Sequence, residues 1–191
     1  RRDSVMSSPL RKFKHRLPQP VRNLGYGWRE RWRLRRFAAG LKSHDPELYQ
    51  RLTTPELPVS LRQALLKLVS AELSNSSVAP ETPAGHVTTD LLYVALNRGA
   101  DVIKDLIALR RTAPHLHCTL LTRAGQNVEH EDVMPDLFQE HIQYNSLAGL
   151  SRVVASVMAP TMVLKKITWA DSLVARLSWE GRVIYRPYDF F

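Results

Sequence analysis

The sequence APTMVLKKITWADSLVARLSWEGRVIYRPYDFF, residues 159–191, holds the pattern that decides the fold. In chain order, the predicted elements are a strand (161–164), a polar loop (165–168), a helix (169–180) and a strand (183–185). Gly181 is expected to end the helix in the left-handed conformation, and Pro187 to end the strand because it has no N–H. Loops at the carboxyl ends of strands carry the chemistry in open α/β sheets, so Lys165-Lys166 is the first candidate site.

The alternation of strand and helix begins near residue 88. Apolar runs predict strands over 91–96, 116–121 and 142–144, and periodic apolar residues predict helices over 100–112 and 147–158. With the two strands above, this favours an α/β fold with a doubly wound, Rossmann-like parallel sheet of about five strands. We expect the order 3-2-1-4-5, in which the first and fourth strands are neighbours and their helices lie on opposite faces.

The basic charge is confined to the N-terminal part of the chain. Residues 1–42 hold 13 Lys and Arg against 2 Asp and Glu, a balance of +11, whereas the whole chain has a net charge of +9. The predicted divisions are an irregular basic arm (1–27), a helical extension (28–74), a Ser/Pro-rich linker (75–87) and the α/β domain (88–191). Asp45 is predicted to cap one helix of the extension, and Ser60 with Gln63 to form a capping box for the next.

The helix predicted over 28–41 carries apolar residues on two sides. Leu34, Phe37 and Leu41 share one face, and Trp28 and Trp32 lie roughly opposite at about 100° per residue. We favour a helix packed partly on both sides. The alternatives are contact with an anionic membrane surface through residues 1–42 and, ranked after it, binding of nucleic acid.

The sequence lacks the motifs of three common classes: dinucleotide-binding proteins, P-loop NTPases and α/β-hydrolases. It has no G-x-G-x-x-G fingerprint, no P-loop and no G-x-S-x-G elbow. The single cysteine, Cys118, reads as a small buried hydrophobe in a strand, and His115 and His117 have no second pair with which to hold a metal. We therefore expect no cofactor and no metal. No apolar run is long enough to cross a membrane, and we expect a cytoplasmic protein that can be peripheral at the membrane.

Two loops are predicted to meet where the first and fourth strands end. Asn97, Arg98 and Gly99 follow the first strand and precede a helix N-terminus, and Lys165-Lys166 follows the fourth. Their convergence would make an anion or sugar-phosphate site, although the lysines also fit an ordinary solvated pair. The last strand adds two further candidates at its end, Tyr188 and Asp189, for which a turn or N-cap role is the alternative.

Residues 88–191 resemble the N-terminal, acceptor-side domain of GT-B fold glycosyltransferases, especially the GT4-like group. The segments that carry the resemblance are Leu120-Leu121-Thr122, Pro160 to Leu164 with the lysine pair, the helix over 169–180, and Val183 to Asp189. The sequence departs from the family pattern where the lysine pair replaces a histidine and where Tyr188 replaces another. Arg98-Gly99 stands in place of a Gly-Gly pair.

The resemblance implies the acceptor-side part of an enzyme that transfers sugar from a nucleotide-sugar to a glycan or lipid-linked acceptor. In that family the donor binds mainly to a second lobe, which these residues do not include. We therefore expect the 191 residues alone to be inactive in transfer. The hypothesis from a different class is a non-catalytic α/β interaction module whose basic arm docks to an anionic membrane, nucleic acid or a protein partner.

Overall fold

The computed structural model describes residues 19–75, 86–96, 99–125 and 137–186. Its helices are α1 (Gln19–His44), α2 (Pro46–Leu52), α3 (Val59–Asn75), α4 (Ala100–Thr112), α5 (Leu147–Ser156) and α6 (Trp169–Leu177). Its strands are β1 (Val87–Thr88), β2 (Leu91–Ala95), β3 (Cys118–Arg123), β4 (Glu140–Tyr144), β5 (Val157–Met158), β6 (Thr161–Lys165) and β7 (Arg182–Arg186).

The main sheet has five strands in the order β4-β3-β2-β6-β7. Every neighbouring pair in it is parallel. Numbered along the chain, the order is 3-2-1-4-5, as the alternation of strands and helices predicted. The central strand β2 is buried at every residue, which its continuous apolar sequence requires.

Helices cover both faces of this sheet. Side chains of α4 form one apolar cluster with Leu91 and Tyr93 of β2. The other face, with Leu92 and Val94, packs in a second cluster with α5 and α6. The helices that follow β2 and β6, α4 and α6, therefore lie on opposite faces, and the α/β, Rossmann-like fold class is confirmed.

The N-terminal helices share the larger of these two cores. Leu48 and Leu52 of α2 and Leu65 and Val69 of α3 are fully buried in the cluster that contains the α5–α6 face of the sheet. Asp45 caps α2 as predicted, because its Oδ1 accepts a hydrogen bond from the Leu48 N–H at 3.0 Å. These residues therefore form a third layer over the α5–α6 face.

Two helix starts differ from the sequence interpretation. Helix α1 begins at Gln19, so the irregular conformation predicted for residues 19–27 is wrong. Pro20 lies in the first turn, where its missing N–H would have no helical partner anyway. Helix α3 begins at Val59 and the Arg62 N–H bonds to the Pro58 carbonyl, so Ser60 is inside the first turn and does not head a capping box. Residues 1–18 of the predicted arm lie outside the described part of the chain.

The helix predicted over 147–158 ends two residues early, at Ser156. Val157 and Met158 form β5, which pairs in parallel with Val87 and Thr88 of β1 in a separate two-stranded sheet. The apolar period continues through Val157 and Met158, which is why the sequence favoured helix. The partner strand β1 crosses the predicted boundary between the linker (75–87) and the α/β domain, and its two residues are too few to signal the pairing.

Gly181 also has a different role from the one predicted. Helix α6 ends at Leu177 with Ser178 as its C-cap, and among the described glycines the only positive φ belongs to Gly125. A Cβ on Gly181 would lie 2.9 Å from Trp179 Nε1 and 3.1 Å from the Pro160 carbonyl oxygen. The position therefore requires glycine because of close packing, with no need for a left-handed backbone.

We expect Gly181→Ala to lower the free energy of unfolding by about 1–3 kcal/mol, the usual cost of overpacking. Urea unfolding followed by circular dichroism measures the change. Gly40→Ala is the matched control, because a Cβ there meets nothing within 4 Å and Gly40 is inside α1. That control should gain about 0.4–1 kcal/mol. Equal midpoints for both variants would contradict the packing argument.

Candidate functional site

The carboxyl ends of the five parallel strands meet at one edge of the sheet, here called the C-terminal edge. Of the predicted site residues, Gly99, Lys165 and Lys166 are described and lie at this edge. Asn97, Arg98, Tyr188 and Asp189 lie outside the described residues. The structure therefore places three of the seven candidates and brings in acidic partners that the sequence did not reveal.

Lys165, the last residue of β6, is buried on the α4 face with only 1% of its surface exposed. Its Nζ lies 3.4 Å from Oδ2 of Asp105 in α4. The same carboxylate oxygen accepts the Tyr93 hydroxyl at 2.8 Å and lies 3.1 Å from Arg186 Nη1. These four residues form the Lys165 cluster, and the solvated state considered for this lysine is wrong.

Burial and the neighbouring carboxylate both raise the pKa of the Tyr93 hydroxyl. Loss of solvation, then the hydrogen bond to Asp105 and its charge, raise the pKa of the Tyr93 hydroxyl well above its usual range. The hydroxyl therefore stays protonated near neutrality and donates its hydrogen bond to Asp105.

Lys166 forms an ion pair with Asp101, in the first turn of α4. Gly99 is the N-cap of that helix and has no side chain with which to cap it. The ion pair joins the loop after β6 to the first turn of the helix that follows β2. Lys166 has a φ of 48°, and it is the only non-glycine residue in the described ranges with a positive φ. Such a backbone is unfavourable for a lysine, so the surrounding loop must hold it.

A second polar group, the Arg123 cluster, occupies the same edge on the α5–α6 face. It consists of Glu72 of α3, Arg123 of β3, Tyr144 of β4, Thr168 at the N-cap of α6, and Asp171. Arg123 Nη1 lies 3.4 Å from Asp171 Oδ1, and its Nη2 pairs with Glu72. The guanidinium therefore bridges the sheet, α3 and α6.

Asp171 is the most buried acid of this cluster, with 0% exposure. Its Oδ1 accepts the Tyr144 hydroxyl at 3.1 Å, and its Oδ2 accepts the Thr168 hydroxyl. Burial, followed by the charge of Asp171 and the hydrogen bond to it, raises the pKa of Tyr144 well above its usual range. Arg123 also lies over the Tyr144 ring, 5.9 Å from the ring centroid.

Glu72 ties the N-terminal helices to this edge. One of its carboxylate oxygens pairs with Arg123 and the other accepts the Leu147 N–H at 2.8 Å, in the first turn of α5. A carboxylate at a helix N-terminus is favourable because the first N–H groups have no helical partner. The extension is therefore connected to the sheet by a polar contact as well as by its apolar core.

The charges of the two clusters and the Lys166 pair balance among the described residues. The four cationic side chains are Arg123, Lys165, Lys166 and Arg186, and the four acidic ones are Glu72, Asp101, Asp105 and Asp171. The described part of the edge therefore offers both hydrogen-bond donors and acceptors. It suits a neutral polar ligand better than a multiply charged anion.

A different concavity lies at the opposite edge of the sheet. It has a volume of about 700 Å³ and is lined by residues that precede β2, β6 and β7, among them Asp90, Pro160 and Gly181. Ligand sites of parallel α/β sheets lie at the carboxyl ends of the strands. This cleft is therefore the weaker candidate.

Among the described residues, the other polar candidates of the sequence do not form a second site. His115 and His117 are exposed, and the described ranges contain no group of three metal-ligating side chains. Cys118 is buried, as expected. His130, Glu131 and Asp132 are side chains of metal-ligand type in a polar segment, for which the sequence favours a solvated charge cluster, and they lie outside the described residues. In the described ranges no helix combines the length and apolar character needed to cross a membrane.

Burial raises the pKa of the Cys118 thiol from 9.0 to about 12. The unfolded chain then releases this proton at lower pH than the folded chain, so stability should fall as pH rises from about 9 to 12. The loss is up to about 1.4 kcal/mol per pH unit from this group. Urea unfolding at pH 8 to 11 measures the slope, and Cys118→Ala should have a shallower one. Equal slopes would contradict this.

Comparison with known proteins finds no match to this chain among family models, curated sequences or solved structures.

The sequence interpretation missed the Arg123 cluster entirely. Tyr144 does carry a signal, because it is an amphipathic residue at the end of the strand predicted over 142–144. Arg123 ends the observed strand β3, two residues beyond the strand predicted over 116–121. Asp171 carries a weaker signal, as an acid three residues after an N-capping threonine. Glu72 carries none, since it belongs to a helix outside the α/β alternation.

Proposed function

We propose that this chain is the acceptor-side part of a glycosyltransferase and binds a glycan or lipid-linked sugar acceptor at the C-terminal edge. The observation that carries the proposal is the pair of ion-paired clusters on the two faces of that edge, beside the point where β2 and β6 adjoin. The resemblance of residues 88–191 to such domains agrees with this position. The donor nucleotide-sugar would bind to a second lobe.

The charge balance favours the acceptor over the donor as the ligand of this edge. A nucleotide-sugar carries a diphosphate, which needs cations or helix N-termini that are not already neutralised. Here Lys166 is paired with Asp101 in the first turn of α4, and Arg123 with two acids. Sugar hydroxyls both donate and accept, so they match alternating carboxylate and ammonium or guanidinium groups.

The partly exposed groups are the ones available to a ligand. Side-chain exposure is 54% for Arg186, 39% for Asp101 and 26% for Lys166. Lys165 and Asp171, in contrast, are enclosed. The enclosed residues would hold the edge rigid, and Arg186 and the Lys166–Asp101 pair would make the direct contacts. This division of roles follows from burial alone.

Titration of ¹⁵N-labelled protein with a panel of neutral oligosaccharides tests the proposal. We expect shifts of the amide signals of Gly99, Lys166 and Thr168, saturable at millimolar concentration, and at least fivefold weaker binding by Lys166→Ala. Lys104→Ala, an exposed lysine of α4, is the matched control and should bind as the wild type does. The chain alone should transfer no sugar from a nucleotide-sugar.

Shifts confined to the cleft at the opposite edge, or equal weakening by both lysine variants, would refute the site. Binding of uridine diphosphate more tightly than any oligosaccharide would assign this edge to the donor. Turnover by the 191 residues alone would contradict the division into two lobes.

A further inference from the structure

Helix α1 presents to solvent a face on which arginines surround a tryptophan. Trp32 is 53% exposed, and the Arg36 guanidinium lies 5.6 Å from its ring centroid. Among the side chains of this helix that the structure describes, the other exposed arginines are Arg29, Arg31, Arg33 and Arg35. A single exposed aromatic ring needs no explanation, but a ring surrounded by arginines joins apolar area with positive charge, which suits an anionic amphipathic partner.

This face is the side of α1 turned away from the protein core. Leu41 is buried in the large core and Phe37 packs against it. At about 100° per residue, Trp32 lies roughly 160° around the helix from Leu34, which is partly buried beside them. The expectation of packing on both sides is therefore not met at Trp32.

The single acid of α1 does not neutralise this face. Glu30 forms an ion pair with Lys67 of α3, on the side of α1 that faces the protein. The hydrogen bond from Lys67, and then its charge, lower the pKa of Glu30, so it remains ionised in that pair. The charges that remain on the described part of the solvent face are those of arginines.

The shape and composition of the face favour anionic lipid over single-stranded nucleic acid as its partner. Single-stranded nucleic acid is bound in basic grooves with several stacked aromatic platforms. Here the described surface is the convex side of one helix. It has one tryptophan ring, Trp32, and the Arg36 guanidinium already lies over that ring. Tryptophan favours the headgroup level of a bilayer, and arginine is attracted to anionic lipid.

We propose that the Trp32 face of α1, formed by Arg29, Trp32, Arg33 and Arg36, docks the protein on a bilayer of anionic phospholipid. The helix would lie along the headgroups with Trp32 inserted among them and the arginines over lipid phosphates. The inference does not rest on the glycosyltransferase proposal, because it uses no residue of the C-terminal edge. It concerns where the protein lies rather than what it binds there.

Co-sedimentation with large unilamellar vesicles tests this, using 30% phosphatidylglycerol in phosphatidylcholine against phosphatidylcholine alone. At 50 mM salt we expect the partition coefficient to be at least tenfold higher for the anionic vesicles. It should fall at least fivefold at 500 mM salt. Brominated lipid in the anionic vesicles should quench tryptophan fluorescence, and Trp32→Ala should lose part of that quenching.

The matched charge variants separate this face from net charge. The pair Arg29→Glu with Arg36→Glu should lower the partition coefficient at least tenfold, and Lys104→Glu with Arg111→Glu on α4 should change it less than threefold. All four positions are exposed, so circular dichroism should show each double variant folded. Wild-type protein that ignores anionic vesicles, or equal losses in both double variants, would overturn the proposal. Tighter binding to a single-stranded RNA oligonucleotide, lost in Trp32→Ala, would assign the face to nucleic acid and also overturn it.

Discussion

Asp171→Ala is expected to lower the free energy of unfolding by about 3–5 kcal/mol, the range found when one partner of a buried ion pair is removed. The carboxylate is enclosed and accepts hydrogen bonds from the Tyr144 and Thr168 hydroxyls, while Arg123 lies against it. Its loss leaves the phenol and part of the guanidinium without an acceptor in a region that excludes water. Urea unfolding followed by circular dichroism gives the difference.

One further variant separates charge from hydrogen bonding, and a second is the matched control. Asp171→Asn keeps an acceptor for Tyr144 but removes the charge beside Arg123, so we expect about half of the alanine effect. Arg176→Ala, an exposed residue of the same helix, should change stability by less than about 0.5 kcal/mol. If Asp171→Ala cost no more than Arg176→Ala, the Arg123 cluster would contribute nothing net to stability.

The order of the five strands was predictable because strands buried in the sheet are recognisable in the sequence as runs of apolar residues. Strand β2 is enclosed on both faces, so all of its residues must be apolar, and Leu91–Ala95 shows this. Parallel strands need crossover connections, and helical periods were recognisable in three of the four connections of this sheet. Once five strands alternate with helices, few arrangements remain that bury every face.

The Arg123 cluster was not predictable from the same patterns. Arg123 pairs with Glu72 and Asp171, which lie 51 and 48 positions away along the chain. The residues close to each side chain in sequence indicate only an arginine near the end of a strand and a glutamate on a helix. Both types of side chain are commonly exposed to solvent. The contact exists because α3 packs over the α5–α6 face, and only the packed structure shows that.

The lysine loop was located correctly, but its electrostatics were not. A buried strand end followed by Lys165-Lys166 indicated the edge, and the structure puts both lysines there. Sequence gave no sign that Asp105 and Asp101, one helical turn apart on α4, face them. Among the described residues, the expected cationic site is charge-balanced, which is why we propose a sugar acceptor and not a diphosphate as its ligand.

Asp105→Ala is the second large effect that we expect, again about 3–5 kcal/mol of lost stability. Lys165 is 1% exposed, and an ammonium ion at such a position is costly without its carboxylate. The Tyr93 hydroxyl would lose its acceptor at the same time. Because Lys165→Met removes the charge and keeps the volume, it should cost less than Asp105→Ala, and adding it to Asp105→Ala should recover part of the loss. Failure of the second substitution to recover stability, measured by urea unfolding, would mean that the cost of Asp105→Ala does not come from the buried lysine charge.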